Sequence, residues 1–262
     1  MRKVNQSLNT GKITLLFIIF SVFFQAHTFA QPEASQKKWH YLTDVYLMFP
    51  NINGETGIGN LLVPIDASAG DVFSKLKIGG MFYFEAQTSK WALTSDIVFM
   101  NLNEDIMPGK LIESGEVTGK QFIWEAAALY RLAPFWEVGI GGRLNNLEVG
   151  IGANRRVLPS GTETVSGNKT ATWYDPVIIT RLATDINNKW LFQFRGDVGG
   201  FGIGSDITWQ LGGYVGYRFT KVFQLTGGYR ILSMDYNKDV KNTQFVFNVD
   251  EFGPVVRLGF NF

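Results

Sequence analysis

Sixteen charged side chains carry most of the chemistry available to this chain. The acids are Asp44, Glu85, Asp96, Glu125, Glu137, Asp175, Asp197 and Asp206; the bases are Lys77, Arg131, Arg143, Arg181, Arg195, Arg218, Arg230 and Arg257. A carboxylate dyad such as Asp96 with Glu125 has the residue types for general acid–base work, which needs one member protonated. Neighbouring arginines would hold both members ionised, which argues against that use. Hydrolysis by an activated nucleophile generally needs a histidine beside a Ser, Asp or Glu. The sequence has two histidines and no cysteine, and one of the two, His27, lies in an N-terminal leader. The remaining His40 is too solitary for a base relay or a transition-metal site. The inventory therefore predicts charge pairing, no enzyme activity and no cofactor.

Three other motifs have bland readings that outweigh their chemical ones. Arg195-Gly196-Asp197 spells an adhesion tripeptide, yet its two charges alternate with apolar residues and so face one side of a strand. The glycine cluster from Gly199 to Gly204 suggests a phosphate cradle, but no helix follows and Asp206 would repel an anion, so a tight turn is expected. The run Ser68-Ala69-Gly70-Asp71-Val72-Phe73-Ser74 reads as a short helix capped by Ser68, with Val72 and Phe73 packed inward.

The elements that position the charges follow from the two ends of the chain. Arg2, Lys3 and Lys12 flank the apolar run 13–24, and Ala26-His27-Thr28-Phe29-Ala30 supplies small residues for a signal-peptidase site. Residues 1–30 are expected to be a cleaved export signal and 31–38 a short periplasmic segment, with 39–262 as one domain. Removing the signal leaves 21 basic against 23 acidic residues, a net charge of −2, which gives no sign of a nucleic-acid partner, and none is expected. Beyond the leader no stretch reaches the ~20 apolar residues of a spanning helix. The other end, Val256-Arg257-Leu258-Gly259-Phe260-Asn261-Phe262, alternates apolar and polar residues up to a terminal Phe, as the closing strand of a membrane barrel must.

Between the ends, brief turn signals at 87–90, 133–135, 185–189 and 220–221 alternate with longer links at 50–74, 102–117, 154–170, 200–205 and 237–242. That asymmetry predicts an all-β transmembrane antiparallel barrel with short periplasmic turns and larger external loops. Ten strands fit: 39–49, 76–86, 91–101, 118–132, 136–152, 171–183, 190–199, 206–219, 222–236 and 243–262. Eight or twelve are alternatives, since the link 50–74 has room for a further hairpin. In seven of these strands polar and charged residues oppose a bulky apolar face, as in Gln193, Arg195 and Asp197 against Trp190, Phe192 and Phe194. Trp39, Tyr41, Trp91, Tyr130, Trp136, Trp190, Tyr217, Phe219, Phe223, Phe260 and Phe262 all fall beside the short turns, as an interfacial girdle would.

The stretch Arg195-Gly196-Asp197-Val198-Gly199-Gly200-Phe201-Gly202-Ile203-Gly204-Ser205-Asp206-Ile207-Thr208-Trp209-Gln210, with Trp173-Tyr174-Asp175-Pro176, Lys90-Trp91-Ala92-Leu93-Thr94-Ser95-Asp96 and Gly253-Pro254-Val255, resembles a widespread family of small porin-like outer-membrane barrels of Gram-negative bacteria. The resemblance covers most of 39–262. It implies outer-membrane location and, for a family with no settled activity, no substrate. The expected partners are outer-membrane lipid, lipopolysaccharide and the barrel assembly machinery. Turned inward, the sixteen charges would have to pair across a narrow lumen, because an unpaired buried charge costs several kcal/mol. The expectation is a largely plugged barrel acting as a structural or interaction scaffold; a narrow channel for small or apolar solutes is the alternative.

Overall fold

The computed structural model describes residues 39–58, 61–106, 112–156, 162–240 and 242–262. The expected signal 1–30 and segment 31–38 lie outside the described residues. Alternating polarity produces twelve strands: β1 (His40–Met48), β2 (Asn51–Ile58), β3 (Leu61–Ala67), β4 (Leu76–Gln87), β5 (Trp91–Ile106), β6 (Ile112–Ala133), β7 (Trp136–Arg156), β8 (Thr162–Ile186), β9 (Trp190–Gly199), β10 (Ile207–Arg218), β11 (Phe223–Val240) and β12 (Thr243–Asn261). One short helix, α1 (Ala69–Ser74), sits between β3 and β4.

Ten of these strands, β1 and β4 to β12, pair antiparallel in ring order, and β1 on β12 closes the ring. The closing seam runs to the last residue. Tyr41 N–H donates to the Phe262 carbonyl at 2.9 Å, and Phe262 N–H donates back to the Tyr41 carbonyl at 3.0 Å. A ring without free edges satisfies every backbone group internally, which a bilayer demands. The outer wall is apolar, with Val45, Phe82, Leu93, Ile140, Ile178, Leu211, Val215, Leu225, Val256 and Leu258 all exposed. The protein is therefore an all-β, ten-stranded antiparallel transmembrane barrel, with the ten strands where the sequence places them.

At one end, the near end, neighbouring strands join through short turns. The three-residue turn after β8 places Asn187 and Asn188 at φ 53° and 56°, a left-handed pair closed by the Lys189 N–H donating to the Ile186 carbonyl at 3.1 Å. At the far end the strands run longer than the sequence pattern indicates. The stretches 103–106 and 115–118 pair with each other, as do 152–156 and 162–166, where loops were expected. Such extensions are polar on both sides, so they carry no inside–outside alternation to read.

The link 50–74 does hold a hairpin. After a break at Phe49-Pro50, β2 continues the line of β1 along β12, from Asn51 opposite Phe252 to Ile58 opposite Phe245, and β3 folds back on β2. The helix α1 follows with the expected Ser68 cap. The Asp71 N–H donates to Ser68 Oγ at 3.2 Å, and the Ser68 N–H donates to Asp71 Oδ2 at 3.0 Å. Hydrogen bonds from the Ser68 hydroxyl and amide hold the Asp71 carboxyl below the ordinary aspartate range. Val72 is buried, and Phe73 stacks on Phe49 with ring centroids 4.8 Å apart.

Candidate functional site

The inward faces of the ten strands build the site, and they fall into two layers. Toward the near end the layer is ionic. Arg143 on β7, with 0% of its surface exposed, donates through Nε and Nη2 to Glu125 Oε2 on β6 at 3.2 and 2.7 Å. It also reaches Asp197 Oδ1 on β9 at 2.7 Å and Thr208 Oγ1 on β10 at 3.1 Å. Arg195 bridges the same two carboxylates, contacting Glu125 and lying 3.3 Å from Asp197. Arg181 on β8 crosses the lumen to Glu85 on β4, donating at 2.5 and 2.9 Å, and binds Glu137 Oε2 at 2.6 Å. Arg131, half-buried at the rim, completes that group on Glu137 Oε1 at 2.6 Å and on Gln87 Oε1 at 3.1 Å.

Tyrosines join the remaining arginines to the layer. Arg230 donates to Tyr46 Oη at 3.1 Å, and Tyr46 donates to Asp96 Oδ1 at 2.5 Å. Arg257 lies 3.5 Å from Asp44, with its guanidinium over the rings of Tyr214, Tyr46 and Tyr83 at 4.4, 4.7 and 5.5 Å. Such stacking suits a planar, weakly hydrated cation. Tyr214 has room there because Gly212 and Gly228 flank it; a Cβ would stand 2.6 Å from its hydroxyl at the first and 2.3 Å from its ring at the second.

Four of the sixteen expected charges sit elsewhere or pair otherwise. Lys77 is exposed, because the register shifts between Leu76 and Ile78 and leaves it as the extra residue of a bulge. Asp206 is not in the lumen; it ends the turn after β9 and accepts from Lys238 at 2.8 Å on the surface. Arg218 is at the near rim, part-exposed, with Asp185 at 3.4 Å. Asp175 is buried, with no arginine within 4 Å among the described residues. It accepts from Asn145 at 2.8 Å, from Trp173 Nε1 at 3.0 Å, and from the Ser205 amide and hydroxyl at 2.6 and 2.9 Å. It thereby anchors the glycine-rich turn, in which Gly200, Phe201 and Gly202 all have positive φ. The Arg195-Gly196-Asp197 tripeptide lies in β9, with both charges inside.

Toward the far end the inward parity continues but its chemistry changes. Along β11, buried Arg230 is followed by buried Leu232, Met234 and Tyr236. With Met48, Val98, Met100, Ile123, Leu147, Trp173, Phe245, Phe247, Val249 and Val255 they form one apolar cluster that Val72 of α1 joins. Trp173 stacks on Tyr236 with centroids 4.1 Å apart. Sequence reasoning followed the charges and missed this layer, along with Tyr46, Tyr214 and Glu251. Strand parity was the signal that could have found them: Tyr46 shares the face of Asp44, and Glu251 that of Arg257.

Each layer borders an open space. A vestibule of about 520 Å³ rises from the near end to Tyr83, Glu85, Arg181, Tyr214 and Arg257. A chamber of about 180 Å³ lies beneath α1 and the β2–β3 hairpin, and Gln121 and Glu251 are among its lining residues. On the outer wall the aromatic residues of the near end form runs: Trp91 on Tyr130 at 5.0 Å, then Trp190, Tyr217, Phe219, Phe223 and Phe260 in successive contacts of 5.0 to 5.8 Å. Tyr41 meets Phe262 at 5.8 Å, Trp136 donates to Thr180 at 2.9 Å, and Trp39 is exposed beside them. His40 is exposed at the same end.

No protein-family model matches the sequence, and no curated protein matches it. Among solved structures, the chain is similar to the outer-membrane protease OmpT of Escherichia coli, at 7% identity and TM-score 0.46 over 88% of this chain and 99% of that one. It is also similar to Ail, the attachment invasion locus protein of Yersinia pestis, at 8% identity and TM-score 0.35 over 87% and 100% of the two chains. The toluene transporter TodX of P. putida aligns at 9% identity and TM-score 0.33 over 87% and 90%. All three are barrels with different roles, and likeness at this level carries no argument about activity.

Proposed function

We propose that the protein is an exported outer-membrane barrel whose lumen is closed to hydrated ions, and that it acts as a non-enzymatic scaffold. It would present α1, the β2–β3 hairpin and the far-end hairpins β5–β6 and β7–β8 on one side of the membrane. One observation carries this reading. Between the vestibule and the chamber stand Arg143, Arg195, Arg230 and their carboxylates, and the space beside Arg230 and Glu251 measures about 10 Å³, room for one water molecule at most. The charges there have both signs and are spent on one another, whereas an ion-selective constriction presents one sign to the passing ion. The exposed apolar wall and the aromatic runs at the near end support a membrane setting. Lipid, lipopolysaccharide and the barrel assembly machinery are the partners such a setting provides.

The measurement that tests closure is single-channel conductance of the refolded protein in planar bilayers. The expected trace is flat, or shows steps far smaller than those of a general porin. Large, stable steps would replace this reading with a channel. The apolar far layer favours one alternative, a narrow path for small apolar solutes, which would appear as uptake of such solutes into liposomes without ionic current.

A further inference from the structure

Among the described residues, eight buried carboxylates face the lumen, namely Asp44, Glu85, Asp96, Glu125, Glu137, Asp175, Asp197 and Glu251, against five buried arginines. Six of the eight acids have an arginine within 4 Å; Asp175 and Glu251 do not. Asp175 is satisfied by four neutral donors. Glu251 has one, Gln121 Nε2 at 2.5 Å. Glu251 is 6% exposed and Gln121 7%, and Gln121 Oε1 has no hydrogen-bond partner. A carboxylate with a single donor and an amide oxygen with none thus stand side by side among the lining residues of the chamber, whose other walls include Met100, Leu147 and Phe247. Both lysines that line the chamber are already engaged, Lys75 with Glu104 at 3.2 Å and Lys120 with Glu148 at 2.8 Å. A buried carboxylate served by one neutral donor is under-satisfied, and its place at an apolar cavity points to a further donor that arrives from outside.

We propose that this chamber is a binding site for a small apolar molecule bearing a primary ammonium group. Size and chemistry each limit the ligand. An apolar cavity of about 150 Å³ holds benzene, so the 180 Å³ here accepts one aromatic ring or a short alkyl chain and little more. An ammonium supplies donors for the Glu251 carboxylate, and it balances the one lumen acid among the described residues that lacks both an arginine and a full set of neutral donors. An anion would meet Glu251 and be repelled. The site lies on the far side of the ionic layer, and it stands whether or not that layer conducts.

Benzylamine is the probe, titrated calorimetrically into the full-length refolded barrel in detergent, with benzyl alcohol and benzoate as the neutral and anionic controls. Saturable one-site binding of benzylamine is expected, at least about tenfold tighter than benzyl alcohol because the hydrogen bond becomes charge-assisted, with no saturable binding of benzoate. Glu251→Gln should bring benzylamine to the level of benzyl alcohol. Leu147→Trp, which fills the chamber from the strand position opposite Gln121, should abolish both, and any heat left in that variant is partition into micelles. Heat-modifiable gel migration verifies that each variant folds. If Glu251→Gln fails that check, Leu147→Trp decides, and retained benzylamine binding in it overturns the site. Benzoate binding as tightly as benzylamine, unchanged affinity in Glu251→Gln, or no saturable binding to the wild type would overturn it equally.

Discussion

The near and far layers of the lumen are built on the same ten strands with the same inward parity, yet they hold the barrel together by different physics. Near the short turns, five arginines and their carboxylates interlock across the lumen with tyrosines as spacers. Near the long hairpins, Met, Val, Leu and aromatic side chains pack as they would in a soluble core. An ionic layer is all-or-none: four of the five guanidiniums serve two or three acceptors, so losing one strands several. An apolar layer degrades gradually, because neighbours relax into part of the space that a lost side chain leaves.

Arg143→Ala is the severest test of that contrast. It leaves Glu125 and Asp197 in the lumen with Arg195 alone, and should destabilise the barrel by about 3–5 kcal/mol, read as a lower urea midpoint for unfolding from lipid vesicles. A change under about 1 kcal/mol would mean that water reaches the layer and screens it. In the far layer, Val249→Ala removes two fully buried methyl groups and should cost about 2 kcal/mol in the same assay, the transfer loss plus a residual cavity. A loss as large as that of Arg143→Ala would erase the distinction between the layers. The smallest effect belongs to Arg218→Ala. Its pair with Asp185 at the near rim is 3.4 Å long and part-exposed, so the loss should stay below about 1 kcal/mol and shrink further in high salt.

Arg218 also shows where sequence reading reaches its limit. By parity it was indistinguishable from Arg143 and Arg195. What separates them is depth along the strand: Arg218 is the last residue of β10, where the lumen opens to water. Depth is set by how neighbouring strands register, and register depends on pairs such as Gly212 opposite Arg195 and Arg230 that only the closed ring fixes. Lys77 failed for a related reason, since a single bulged residue moves a side chain off the face that counting by two assigns to it. The far-end strand extensions stayed hidden because strands wet on both faces do not alternate, whereas the β2–β3 hairpin was readable only as room in the link 50–74.

By itself the sequence determined the class of fold, the ten barrel strands, the short-turn end with its aromatic girdle, the capped helix at Ser68 and most of the inward charges. These follow from periodicity, turn chemistry and capping, which act over a few residues and are written locally. The tertiary structure alone decided which arginine meets which carboxylate, that Asp175 holds a turn while Glu251 is left with a single donor, and that the lumen divides into an ionic and an apolar layer. Those outcomes depend on residues brought together across the ring from strands far apart in the chain, and local pattern carries no information about that distance.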